Sequence, residues 1–197
     1  MSAKAGTDGR GAIPVREQSA RKTRAKLLSA GLRLAESMSL ARISVNLLVR
    51  EAGVAKGSFF HHFGDRATYL VALHREFHER LLAELQAATS GLPPGRERLE
   101  TAGNAYLDVC LRERGVRALL LEARAEPLIA EEVLNRNEAN AEICRADFDA
   151  MGWNDPLQSA RLWIAVVAEA ALVELRTGGR DRATRRAIAQ LLAADRV

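Results

Sequence analysis

Cysteine is scarce: Cys110 and Cys144 are the only two in 197 residues. They match no CxxC or Cys/His metal spacing and build no disulfide framework, which fits a reducing compartment. β-branched residues are also few. Six Ile, twelve Val and seven Thr stand against 35 Ala and 27 Leu. Ala and Leu favour helix and β-branched side chains favour strand, so the expected class is all-α and a sheet-rich fold is disfavoured. No apolar h-region opens the chain, because residues 1–26 are polar, glycine-bearing and basic, so no secretory signal is expected. Long apolar runs are missing too. The longest, Leu162 to Leu175, carries Glu169 and Glu174 and lies between Arg161 and Arg176; a bilayer span needs about 20 residues. The expected location is therefore the cytoplasm, with no membrane partner.

Lysine disappears after Lys56. Residues 1–66 hold twelve basic side chains (four Lys, eight Arg) against five acidic ones, net +7, while residues 67–197 hold seventeen against twenty, net −3. Such asymmetry points to a polyanion-binding N-terminal part joined to a body with another task. A merely solubilising basic tail is the plainer reading of the same numbers.

Turn and cap residues divide the chain into nine expected helices. Residues 1–18, with Gly6, Gly9, Gly11 and Pro14 and no apolar period, read as a disordered basic arm. From Ser19, the positions Leu27, Leu28, Gly31, Leu34, Ala35 and Met38 recur at helical steps. Ser44 caps a short helix to Ala52, Gly53 stops it, a second short helix runs from Lys56 to Phe63, and Asp65 caps a long one to about Thr89. Further helices are expected over Arg96–Arg114, after Gly115 to Ala125, Pro127–Met151, Pro156–Thr177 behind a capping box at Asp155, and from Asp181 to about Asp195. Residues 19–65 read as one domain and 66–197 as a second.

Two short helices joined by a glycine turn on a longer first helix form a helix-turn-helix. Its second helix must present a small, polar N-terminus to enter a major groove ~12 Å wide. Here that tip reads Lys56-Gly57-Ser58, while Phe59 and Phe63 on the opposite face anchor the helix to its own domain.

The segment from Ser44 to Leu70, with its core Ala52-Gly53-Val54-x-Lys56-Gly57-x-x-x-x-His62-Phe63, resembles the DNA-binding domain of the TetR family of transcriptional regulators without a gap. The resemblance implies a homodimer on a palindromic double-stranded operator, usually a repressor, released by a small molecule in its C-terminal domain. Carried over by position, it makes Ser44 a phosphate-facing cap and lets Asn46 reach a base. Lys56, Gly57 and Ser58 fall at base and backbone contacts, and Phe60 and His62 at phosphate contacts with His61 between them. Arg66 replaces the usual lysine at the start of the fourth helix. The sequence departs from the family pattern in several places. Phe60 stands for tyrosine, Ala55 for a serine cap, Leu47 for an acidic residue and Val49 for alanine, and neither Met38 nor Ser39 supplies the usual glycine.

Other constellations are weaker. The run Phe59-Phe60-His61-His62-Phe63 suggests a single-strand stacking platform, but at least two rings must face the core of so short a helix. His74 and His78, four apart, share a helix face in metal-ligand fashion, yet no third ligand is signalled by spacing. An ordinary solvated or interface pair accounts for them better. Cys110 and Cys144 form a redox pair only if the fold joins them, and buried apolar thiols are the commoner case. No Gly-x-Ser-x-Gly, phosphate loop or HExxH occurs, so no enzyme and no cofactor is expected. The rival to DNA binding is a helical protein-interaction module of the same fold.

In the second domain a ligand cavity is expected between the helices Arg96–Arg114, Pro127–Met151 and Pro156–Thr177. Their sparse polar groups Asn104, Tyr106, Asp108, Cys110 and Trp163 are its candidate lining. Asp108 and Glu169 would suit a cationic effector, unless they face solvent. The segment Leu157–Leu175 is apolar almost all round, so the last two helices, with Ala187, Ile188, Leu191 and Leu192, are the expected dimer contact.

Overall fold

The computed structural model describes residues 15–193. Among them are nine α-helices, two 3-10 turns and no strand. The helices are α1 (Val15–Ala35), α2 (Val45–Ala52), α3 (Lys56–Phe63), α4 (Arg66–Ala88), α5 (Arg96–Arg112), α6 (Arg114–Glu122), α7 (Pro127–Ala150), α8 (Pro156–Thr177) and α9 (Arg182–Ala193). Helix α1 begins at Val15, so residues 15–18, assigned to the arm by sequence, are helical. The rest of that arm and the expected end of the last helix lie outside the described residues.

Caps explain most boundaries. The Leu47 N–H donates to Ser44 Oγ at 3.2 Å and the Thr68 N–H to Asp65 Oδ1 at 2.7 Å. Asp181 Oδ1 accepts from Ala183 N–H at 2.8 Å and Thr184 N–H at 3.1 Å. Each cap satisfies N–H groups that a helix start leaves without a partner. At α8 the expected capping box does not form. The Asp155 side chain makes no cap bond, and Ser159 Oγ instead donates to the Asp155 carbonyl at 2.9 Å. Proline at N1 supplies the start, its missing N–H being one that needs no partner there.

Helices α1 to α3 pack with the first half of α4 as one unit, and α4 continues into the body formed with α5, α7 and α8. The Tyr69 hydroxyl donates to the Leu27 carbonyl at 3.0 Å, tying α4 to α1. A Cβ on Gly31 would sit 2.0 Å from that hydroxyl, so only glycine lets the two helices approach this closely. Gly115, expected to break the chain, lies instead in the first turn of α6. A Cβ there would come within 2.6 Å of the Ala35 carbonyl oxygen and Glu36 Cα, so glycine serves the docking of α6 on the end of α1.

Helix α8, at 22 residues and mean hydropathy 1.3, has the length and composition of a membrane span, more than the apolar run alone suggests. It packs against α7, α5 and α9. Its Glu174 is fully buried and accepts from Arg185 Nε at 2.7 Å and from the Asp181 N–H at 2.9 Å. That paired carboxylate marks α8 as a core helix of a helical body.

Candidate nucleic-acid interface and ligand cavity

The turn between α2 and α3 is made by Gly53, whose left-handed φ of 65° costs glycine nothing, with the Val54 N–H returning to the Val49 carbonyl at 3.0 Å. Under α3, Phe59, Phe63 and Tyr69 form a buried aromatic cluster, with ring centroids 5.0 to 5.5 Å apart. The stacking-platform reading therefore loses two of its rings to the core. With its inner face fixed, α3 turns its tip outward.

Ser44, Asn46, Lys56, Gly57, Phe60 and His61 are all exposed, and Ser58 and His62 are half-buried. A Cβ on Gly57 would meet nothing within 4 Å, so the fold itself does not require glycine there. Phe60 is 46% exposed, an apolar ring held edge-on to Phe59 at 5.4 Å. The start of α3 has no side-chain cap, because Ala55 occupies the N-cap with φ −69° and ψ 147°. Burial, helped by His61 and Arg24, lowers the pKa of His62 below its ordinary value. Arg66 departs from its expected orientation. Its Nη2 donates to the Leu40 carbonyl at 2.9 Å, while the Leu40 N–H donates to Glu122 Oε2 on α6 at 2.8 Å. The guanidinium is thus spent on the 3-10 turn Leu40–Arg42, which α6 holds from the other side. The candidate set omitted Lys22, Arg24 and Lys26, exposed on α1. Their signal was the basic run Arg21–Lys26.

The body holds a partly open cavity of about 530 Å³. It lies between α5, α7 and α8, as expected, and α4 supplies a whole further wall through His74, His78, Leu81, Leu82 and Leu85. Of the candidate lining, Tyr106 and Trp163 reach it. Asn104 is exposed and faces a small cleft near Arg185. Asp108 turns outward to Arg180 at 2.6 Å and Arg185 at 2.8 Å, and these bonds outweigh its burial and lower its pKa. Cys110 is buried in packing outside the lining, while Cys144 lines the cavity. Both thiols are free, and burial raises the pKa of each, that of Cys144 to about 11. Neither is a ready thiolate. Glu169 is exposed beside Arg176.

The charged lining holds four arginines, Arg75, Arg98, Arg124 and Arg136, and three carboxylates, Glu79, Glu132 and Asp147. Arg75 pairs with Glu132 at 2.6 Å, and Arg98 with Asp147 at 2.6 Å. Arg136 Nη1 lies 2.6 Å from His74 Nε2 and donates to it, so that nitrogen is unprotonated. Burial, then the neighbouring Arg136, lowers the His74 pKa to about 3, and the same two causes push His78 further down. Burial also lowers Arg136 to about 10 and raises Tyr106 to about 12. The two histidines are thus neutral wall residues with ring centroids 4.5 Å apart. Among the described residues no group of three potential metal ligands exists.

Residues 27–73 match the family described as bacterial regulatory proteins, tetR family. A comparison with curated proteins returns no match. Among solved structures, one assigned to the TetR-family transcriptional regulators, from Rhodococcus sp., superposes with a TM-score of 0.74 at 18% identity, over 88% of this chain and 100% of that one. A TetR-family regulator from Pectobacterium atrosepticum gives 0.68 at 24% identity, over 89% and 93%. The multidrug binding protein EbrR, complexed with imidazole, gives 0.68 at 21% identity, over 88% and 96%. At these identities the structural likeness concerns the fold, and the local match concerns the helix-turn-helix.

Proposed function

We propose that the chain, whose residues 27–73 match the TetR family and whose fold is that of TetR-family regulators, is a DNA-binding transcriptional regulator, and more specifically a cytoplasmic homodimeric repressor released from a palindromic operator by a small-molecule effector. The observation that carries this reading is a continuous mechanical path. The cavity wall includes α4, the same helix that packs on α1 and follows α3. Helix α6, which runs directly into the turn carrying the lining residue Arg124, holds the α1–α2 connection through Glu122 and Gly115. A ligand that spreads α4, α5 and α7 thereby reorients the reading heads.

In this reading Lys56, Gly57 and Ser58 meet bases and nearby backbone, with Ser44, Asn46, Phe60, His61 and His62 around them. Two copies of α3, related by a twofold, fit half-sites about one helical turn apart, or a multiple. The ligand-facing role falls to Tyr106 and Trp163. EbrR, with its bound imidazole, is a precedent for a small molecule in a related fold.

The test is selection of bound sequences from a random duplex pool by the full chain, followed by a ligand screen for release. A pseudo-palindromic consensus whose complex is dissolved by at least one small molecule supports the reading. Uniform retention of all sequences, or a consensus with a single half-site, contradicts it.

A further inference from the structure

The cavity has a cationic end around Arg124 and Arg136, an apolar length, and a far end where Arg98 is neutralised by Asp147. Four guanidiniums line it, from Arg75, Arg98, Arg124 and Arg136, against three carboxylates, from Glu79, Glu132 and Asp147. Two of the pairs cancel, Arg75 with Glu132 and Arg98 with Asp147. Glu79 is exposed. Arg124 and Arg136 form no ion pair among the described residues, although Glu132 still acts on Arg136 through space, and behind them Arg117 is 2% exposed, with Nε and Nη2 bonded to nothing among the described residues. His78, 8% exposed and on the cavity wall, also leaves its Nε2 without a partner. A buried polar group with no partner costs free energy, and an unpaired buried cation costs more.

The neutral groups at this end point the same way. Arg117 and Arg124 both contribute to the positive field that holds His74 and His78 unprotonated. Burial raises the pKa of Tyr106 against the pull of Arg117 and Arg136, so the phenol stays protonated, with Cys110 as its neighbour in hydrogen-bond contact. A cation here would meet guanidiniums and a phenol; an anion would meet donors. Between this end and the Arg98–Asp147 pair the lining turns apolar, with Leu81, Leu82, Leu85, Ile143, Ile164 and Val167. On α4 the lining runs from His74 to Thr89, roughly 20 Å at 1.5 Å per helical residue.

We propose that this cavity takes an amphipathic organic anion, its acidic head among Arg124, Arg136, His78 and Tyr106 and its extended apolar body along the leucines of α4. The head is a carboxylate or a phosphate monoester, and the body is of the fatty-acyl type. The inference rests on the reading of the cavity as the effector site, and it reverses the cationic effector that Asp108 and Glu169 suggested from sequence.

Four probes with one chain and different heads separate the alternatives: dodecanoate, dodecyl phosphate, dodecanol and dodecyltrimethylammonium. Each is titrated calorimetrically into the full-length protein below its micellar concentration, and in parallel into its complex with the selected operator. At least one of the two anions should bind tenfold or more tightly than the alcohol, and which one leads identifies the head. The cation should bind no better than the alcohol. Arg136→Gln should lower the affinity of the preferred anion by about tenfold to a hundredfold, the scale of one charge-assisted hydrogen bond, and leave dodecanol unchanged. Because Arg136 is part of the packed wall, Arg124→Gln provides a second, less buried variant with the same expected direction. Anion-to-alcohol ratios near one, or ratios unaltered in both variants, overturn the proposal. Tight anion binding without operator release leaves the anion site standing and contradicts the effector reading. Release by the cation, with neither anion bound, does the reverse.

Discussion

A helical histidine pair reads very differently in sequence and in space. His74 and His78 stand four apart, as metal ligands do, yet they share that face of α4 with Leu70, Leu81 and Leu85, and the fold buries both in the cavity wall. Their neutrality has a consequence for stability. Unfolded, both titrate near 6.5; folded, burial holds His74 down to about 3 and His78 lower still. The unfolded chain therefore binds more protons in between. Stability from this source is fully present above 6.5 and falls as pH drops through the window toward 3, by up to about 1.4 kcal/mol per unit for each histidine. Arg136, Arg117, Arg124 and Glu132 face the pair and set its field, while carboxylates held low, such as Asp65, act below that window's upper half. Denaturant melts between roughly pH 7 and 5 should show a steeper loss in the parent than in His74→Gln/His78→Gln. Parallel slopes would contradict the assignment. Arg66 supplies a second residue-scale expectation. Since its guanidinium holds the Leu40 carbonyl, Arg66→Ala should destabilise the fold by about 1.5–3 kcal/mol. Loss of DNA affinity with an unchanged melt would return the side chain to a phosphate.

Elements were the most legible scale, because caps and breakers are local. Ser44, Gly53, Asp65 and Asp181 carry their own geometry in their side chains or lack of one, and the bounds of α2 and α3 follow from them. What local pattern could not supply was which helix lies against which. Gly115 looks like a breaker in sequence because its reason is a neighbour, the end of α1, eighty residues earlier in the chain. The α4 wall of the cavity was hidden for the same reason, and so was Arg117, which stands in an ordinary apolar run, Val116-Arg117-Ala118-Leu119-Leu120. Helix α3 offers a direct test of cap chemistry. Ala55 leaves its first N–H groups without a side-chain partner, so Ala55→Ser should stabilise the protein by about 1 kcal/mol in equilibrium unfolding. No gain, or a loss, would mean that these groups are already satisfied.

At the scale of the whole molecule, apolar side chains remain exposed on α7, at Leu128, Leu134 and Ile143, and on α8 and α9. Leu162 is 68% exposed on α8 and Leu191 53% exposed on α9, while Ile188 and Leu192 point into the chain's own core. In the proposed homodimer a second copy covers the α8–α9 face. Val166, half-buried, contributes to the core as well, so Leu162→Asp is the cleaner probe. It should give monomers by sedimentation with an unchanged melt at low protein concentration, and a persistent dimer would move the interface elsewhere. The proposed DNA reading rests on that pairing and on the tip of α3, where Lys56 is the one long cation. The decisive measurement is therefore a titration of the full chain and of Lys56→Ala against the selected operator and a scrambled duplex at several salt concentrations. The variant should lose about 1–3 kcal/mol per half-site on the operator and much less on the scrambled duplex. Both proteins should weaken as salt rises, by the counterions that each phosphate contact releases. Equal affinity of parent and variant for the operator would contradict the placement of α3 in the major groove, and with it the regulator built on that placement.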